Sequence, residues 1–293
     1  KMPLSTVIVG KTATYRSNSQ GFRSSRNFDA AHDGRRIVFL GDSFTFGWGV
    51  EEKETFAALL ESRFENTRSY NFGIRGFGVD QMWMTLRHYG LSVKPDLVIL
   101  SFILEDLERG LSAYRWRSDW MRKPAFRIVE RQLVPLTEKD RPNSLWRFVQ
   151  LRSRLLELWR RVEWHLSIRY AIGYPWSLNK AIFAAIDAEC RAQGVPLIVV
   201  YIPTENGVRN VPMIEREFRS MKINFLDLAK LEPPNPASLY LKNDGHLNIS
   251  GHRFVADAIA SFIKARRLAT PGSSPLIESH QKMMPRRVRP LGS

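Results

Sequence analysis

Cysteine is almost missing from this 293-residue sequence, with Cys190 standing alone. An intrachain disulfide is thereby excluded, and so is any zinc or iron–sulfur site built on clustered cysteines. Long apolar runs are missing as well. The longest, Leu97 to Leu104, is broken by Ser101 and falls far short of the roughly 18 residues that span a bilayer. Acidic residues are few beside basic ones, 29 against 44, leaving a formal net charge of +15. That excess is local. Residues 109–169 carry 15 Lys/Arg against 6 Asp/Glu, and residues 264–293 carry 7 against 1. The remainder is balanced, which argues against a uniformly basic nucleic-acid-binding surface. Repeats are absent too. What is present, 44% hydrophobic and 25% charged residues, is ordinary globular composition and long enough for one large or two small domains.

The apolar pattern alternates between strand and helix. Arg36 to Leu40 reads as a buried strand between Gly34 and Gly41, and Thr55 to Asn66 as a helix. Ser69 to Phe72, Leu97 to Phe102, Pro196 to Ile202 and Ile223 to Leu226 read as further strands. Val79 to Tyr89, Leu178 to Gln193 and a last helix capped by Ser250 and running through Lys264 complete the series. Strands alternating with helices predict a parallel sheet with helices on both faces. This α/β domain occupies residues 35–267. Residues 1–34 are polar and rich in loop signals, forming an N-terminal extension. Residues 268–293 lack periodicity and are expected to be a disordered basic tail.

Residues 109–175 interrupt the alternation as a basic insert holding five of the eight tryptophans. Phe148, Leu151, Leu155, Leu158 and Val162 step by three and four, so the insert is read as a helical cap over the sheet's carboxyl edge with that stripe buried. Arg147, Arg154 and Arg161 fall off the stripe, where they would form a basic rim suited to an anionic substrate or surface.

Two segments carry the chemistry. Gly41-Asp42-Ser43-Phe44-Thr45-Phe46-Gly47 follows the first strand, placing Ser43 in the crevice where open α/β sheets bind ligands. Asn243-Asp244-Gly245-His246-Leu247-Asn248 precedes the last helix. A serine nucleophile needs an imidazole to take its proton and a carboxylate to orient that imidazole, and His246 and Asp244 supply both types.

These segments resemble the SGNH hydrolases, the GDSL-type esterases and lipases. Arg36 to Val50 is similar to the family's first block with its nucleophilic serine, here Ser43. Asn71 to Gly78 is similar to the second, whose glycine, Gly76 by position, lends a backbone N–H to the oxyanion hole beside that of Ser43. Asp244 to Asn248 is similar to the last block. The resemblance implies a flavodoxin-like three-layer α/β/α sandwich with a five-stranded parallel sheet in the order 2-1-3-4-5. It also implies chemistry that needs no metal or organic cofactor.

The sequence departs from the family pattern twice. Where the third block usually presents an asparagine as an oxyanion donor, this chain has Glu105, and a carboxylate donates only when protonated. The usual acid position, three residues before the histidine, is Asn243, so the role passes to Asp244 in the manner of an Asp-x-His variant. Asp42 is read as a structural residue of the turn, and Arg75 as a surface arginine. The histidines and Glu105-Asp106 show no metal-ligand pattern.

The resulting expectation is a serine esterase or acyltransferase acting on O-acyl esters of carbohydrate or lipid through an acyl-enzyme on Ser43. A degenerate binding or scaffold protein of the same fold is the rival, with Glu105 its motive; a basic nucleic-acid- or membrane-binding protein is the third reading. The expected partner is a small-molecule or saccharide ester of anionic character. Membrane-surface contact through residues 109–169 is left open, and nucleic acid is disfavoured. No secretory signal is visible, but the opening Lys1-Met2 is consistent with a removed start, so the chain leaves the compartment unknown; the leaning is a bacterial cell envelope or periplasm, with the cytoplasm as alternative.

Overall fold

The computed structural model describes residues 4–8, 11–113, 121–137, 154–208, 211–231, 233 and 235–268. In chain order these form β1 (Leu4–Ile8), β2 (Lys11–Tyr15), β3 (Arg35–Leu40), α1 (Ser43–Phe46), α2 (Phe56–Glu61), β4 (Thr67–Asn71), α3 (Val79–Thr85) and β5 (Leu97–Phe102). Next come α4 (Leu104–Gly110), β6 (Phe126–Val129), β7 (Gln132–Pro135), α5 (Arg154–Tyr170), α6 (Gly173–Ala192), β8 (Leu197–Tyr201), α7 (Pro212–Ser220), β9 (Asn224–Asp227) and α8 (Ile249–Arg266).

Strands β4-β3-β5-β8-β9 make one parallel sheet, so its own strands lie in the order 2-1-3-4-5, as the resemblance implies. Alternate residues of a strand face opposite sides, and here both sides are buried. Val38, Leu40, Val98, Leu100 and Val199 point into a core covered by α3, α6 and α7. Ile37, Phe39, Leu97, Ile99, Ile198 and Val200 point into a second core covered by α2 and α8. Every residue of β5 is buried, which is why it reads as a run that is apolar but for Ser101. Cys190 is buried on α6, and burial pushes its thiol up to about 12.

Several local expectations need correction. The helix read from Val79 to Tyr89 is α-helical only to Thr85, after which Leu86–Gly90 widens into a π turn. Asn248 rather than Ser250 caps α8, its side-chain oxygen accepting the Gly251 N–H at 3.0 Å. Residues 1–34 are not loop throughout, because β1 and β2 pair antiparallel. Thr, Val, Ile and Tyr favour strands, but neither segment alternates cleanly between apolar and polar residues, and the loop signals that follow dominate the reading.

The insert also differs from a purely helical cap. β6 and β7 form a hairpin whose two turn residues, Glu130 and Arg131, both have positive φ (48° and 66°). Such a turn ordinarily announces itself as Asn-Gly or Asp-Gly, and Glu-Arg does not. Leu158 and Val162 are 59% and 45% exposed, so these stripe members are not buried. The face of α5 that packs inward carries Ser167 and the partly buried Trp164 instead. Phe148, Leu151 and Arg147 lie outside the described residues, as do the side chains of Leu155, Arg154 and Arg161. Lys123 fastens the insert to the sheet domain through a fully buried ion pair with Asp80 of α3.

Candidate active site

The turn after β3 is built to present one hydroxyl. Asp42 caps α1, accepting the Phe44 N–H at 2.9 Å, and Ser43 is the first residue of that short helix. The neighbouring turn after β4 is pressed against it. Asn71 Nδ2 donates to the Thr45 carbonyl at 2.7 Å, its Oδ1 accepts the Gly73 N–H at 2.9 Å, and the Ile74 N–H donates to the Gly41 carbonyl at 3.1 Å. A Cβ at position 73 would stand 2.4 Å from the Phe46 backbone nitrogen. Gly73→Ala is therefore expected to force the two turns apart and lower stability by about 1–3 kcal/mol, read by urea unfolding.

The opposite wall comes from the loop before α8. Tyr240 and Leu247 bridge across it, the Leu241 N–H donates to the His246 carbonyl at 2.7 Å, and Asn243 and Gly245 take positive φ (62° and 80°). Asparagine and glycine are the residues that accept this conformation most readily. The result curls Asp244 back onto the imidazole two residues later. His246 Nδ1 lies 2.5 Å from Asp244 Oδ1, and its Nε2 lies 2.8 Å from Ser43 Oγ. Ser43, His246 and Asp244 are thus brought together from segments some 200 residues apart, while Asn243 serves the turn. With Nδ1–H donating to the carboxylate, Nε2 is left to accept the serine proton.

Asp42 behaves as the structural residue anticipated. One of its oxygens, Oδ2, lies 3.3 Å from Ser43 Oγ and accepts from Arg109 Nη1 at 3.2 Å. The same guanidinium pairs with Asp106, which is fully buried. Burial pushes the Asp106 carboxyl well above the ordinary carboxylate range, Asp42 adding to the effect and Arg109 opposing it. Sequence reasoning missed Arg109, because nothing along the chain ties it to an aspartate 67 residues earlier. It also did not single out Trp48, whose indole Nε1–H donates to Asp244 Oδ2 at 3.3 Å.

A cavity of about 780 Å³ opens over Ser43. Gly76, Arg75 and Glu105 all line it, as do Thr204, Glu205 and Asn206 from the loop after β8. Gly76 has φ of 74° and stands on the cavity wall. Glu105 is exposed there, and Met121 brings the insert to the rim. The expected rim of Arg147, Arg154 and Arg161 falls outside the described residues and side chains. Arg75 and Arg109 share the lining with Glu105, Glu205 and Asp244, a mixed set. Among the described residues no group of three or more His, Cys, Asp or Glu side chains is arranged to hold a metal ion.

A search of curated proteins returned no match. Among solved structures, the chain is similar to the psychrotrophic esterase EstA from Pseudoalteromonas sp. at 13% identity, covering 79% of this chain and 97% of that one with a TM-score of 0.48. A lipase/acylhydrolase from Enterococcus faecalis is 15% identical over 79% of this chain and 96% of its own, with a TM-score of 0.47. A lipolytic protein of the G-D-S-L family from Veillonella parvula is 14% identical, over 78% and 97%, with a TM-score of 0.45. The sequence profile of the GDSL-like Lipase/Acylhydrolase family matches residues 39–254, a span that runs from the end of β3 into α8 and takes in both walls of the cavity. By that match the chain belongs to the GDSL-like lipase/acylhydrolase family.

Proposed function

We propose that this chain is a serine esterase that cleaves small O-acyl esters through an acyl-enzyme on Ser43. The observation that carries the reading is the continuous contact from Asp244 through His246 to Ser43 Oγ, 2.5 Å and 2.8 Å long. Ser43 Oγ attacks the ester carbonyl as His246 Nε2 takes its proton, and Asp244 stabilises the imidazolium that forms. The tetrahedral oxyanion is held by the backbone N–H groups of Ser43 and Gly76. Collapse releases the alcohol, which receives the proton from His246. Water then attacks the acyl carbonyl as His246 takes its proton, and cleavage of the acyl–Oγ bond frees the acid as His246 returns that proton to Ser43 Oγ; an alcohol entering instead would give acyl transfer.

Glu105 does not serve as the third oxyanion donor in this reading. It is exposed on the cavity wall. Phe44, Ile103 and Met121 offer apolar room for a short acyl group, while Thr204, Glu205 and Asn206 offer polar partners for a hydroxylated alcohol. The lining therefore favours an acylated saccharide or other polyol over a long-chain lipid.

The test is covalent labelling with a fluorophosphonate, followed by peptide mass spectrometry, beside turnover of p-nitrophenyl acetate and of acetylated saccharides. The expected result is one adduct on Ser43 and turnover of the short esters. An unlabelled Ser43 with no turnover of any ester would overturn the reading in favour of a binding protein.

A further inference from the structure

Resting on the reading of Ser43, His246 and Asp244 as an acyl-transfer triad, we propose that Trp48 is a positioning residue for Asp244, and that the N-terminal segment 11–28 holds Trp48 in place.

Asp244 sits on a turn, with its side chain 24% exposed. A carboxylate there has a broad terminal torsion and needs more than one contact to keep a fixed orientation. His246 Nδ1 takes Oδ1. The other oxygen, Oδ2, accepts the indole Nε1–H of Trp48 at 3.3 Å. Oδ1 also accepts the His246 backbone N–H at 3.3 Å, and the indole on Oδ2 supplies the contact at the other end of the carboxylate that fixes its plane, so that Oδ1 stays aimed at the imidazole. Trp48 supplies this donor from the same turn that carries Ser43, so the nucleophile and the orientation of the acid are set by one piece of backbone.

That piece is in turn held by residues that precede β3. The Tyr15 ring stacks on the Trp48 ring, with centroids 5.5 Å apart and planes 11° from parallel. Its hydroxyl oxygen accepts the Gly49 N–H at 2.8 Å. Arg23, only 3% exposed, donates to the carbonyls of Phe46, Gly47 and Val50 at 2.8, 2.5 and 2.6 Å. Its guanidinium also lies 4.6 Å from the Tyr15 ring centroid, joining the two contacts. Glu51 closes the arrangement by accepting the Thr14 N–H at 3.0 Å. The residues that grip the turn therefore come from outside the span matched by the family profile, which begins at residue 39. The N-terminal segment acts on the reaction through Trp48 without touching the substrate.

Trp48→Phe deletes the N–H while keeping a ring for Tyr15 to meet. It is expected to lower kcat about tenfold, the scale of a lost hydrogen bond to a charged group, with KM changed less than about twofold and Tm nearly unchanged. Tyr15→Leu removes the stack and is expected to lower kcat in the same direction. In an Asp244→Asn background, Trp48→Phe should cost almost nothing further, because its effect runs through the carboxylate. Proton NMR gives a reading independent of turnover: the low-field resonance of His246 Nδ1–H should shift or broaden in Trp48→Phe. Full kcat with an unmoved resonance would overturn the proposal. So would an equal loss from Trp48→Phe in both backgrounds, which would assign the indole to packing or substrate contact. Should the parent protein neither turn over esters nor label at Ser43, the triad reading fails. The resonance then decides alone whether Trp48 orients the Asp244–His246 pair.

Discussion

Asp244→Asn is expected to lower ester turnover by about 10⁴-fold, the cost of losing a triad carboxylate while its geometry survives. The amide carries no charge to stabilise the imidazolium formed during attack. It can also present N–H where Oδ1 now accepts, driving His246 into the tautomer whose Nε2 cannot take the Ser43 proton. Because His246 Nδ1 lies 2.5 Å from Asp244 Oδ1 in a half-exposed turn, the substitution should leave Tm nearly unchanged. The control is Asn243→Gly, which preserves the positive φ of 62° at that position. It should keep turnover within about twofold, since glycine accepts such backbone without strain. Steady-state kinetics beside calorimetry checks both. A large loss at position 243 with little at 244 would mean that the acid has been misassigned.

The choice of Asp244 over Asn243 rests on the resemblance to an Asp-x-His variant and on chemistry, since an amide cannot replace a carboxylate. How it reaches the ring could not be read from either, because the curl depends on backbone at Asn243 and Gly245 that only the folded loop reveals. The central sheet was legible for a related reason. Strands such as Leu97–Phe102 are buried on both faces, and their composition records it. The insert was less legible because its periodicity named one face of α5 while packing uses another, leaving Leu158 and Val162 exposed. The contacts that join Arg109 to Asp42, Arg23 to the Phe46–Val50 turn and Tyr15 to Trp48 are non-local and polar or aromatic. No spacing rule in a single sequence registers them.

Lys123→Met is expected to destabilise the protein by about 3–5 kcal/mol, the usual cost of stripping the partner from a buried charge. Asp80 and Lys123 are both almost wholly buried, with Lys123 reaching the carboxylate from the insert. Burial raises the Asp80 carboxyl to about 6 despite the opposing attraction of Lys123. The sign of the pH dependence follows. A carboxyl raised in the folded state favours folding at low pH, and that contribution is lost as pH rises from about 4 through the folded value. Without Lys123 the carboxyl rises further, so the deficit of the variant should be greatest above about pH 6 and should narrow toward pH 4. Replacing both residues together, Asp80→Leu with Lys123→Met, should recover much of the loss. Urea unfolding across that pH range provides the measurement. A constant deficit, or no recovery in the double variant, would show that the pair is not what fastens the insert to α3.

Cys190 has a practical consequence. Only the thiolate reacts with maleimides and iodoacetamides, and a thiol pushed up to about 12 leaves roughly one part in 10⁵ ionised at neutral pH, within a side chain that solvent does not reach. A cysteine introduced at an exposed position such as Trp159, 66% exposed on α5, would therefore be the sole site of modification without removal of the native one. A spin label or fluorophore placed there would report on the environment of α5 while the native core stays untouched.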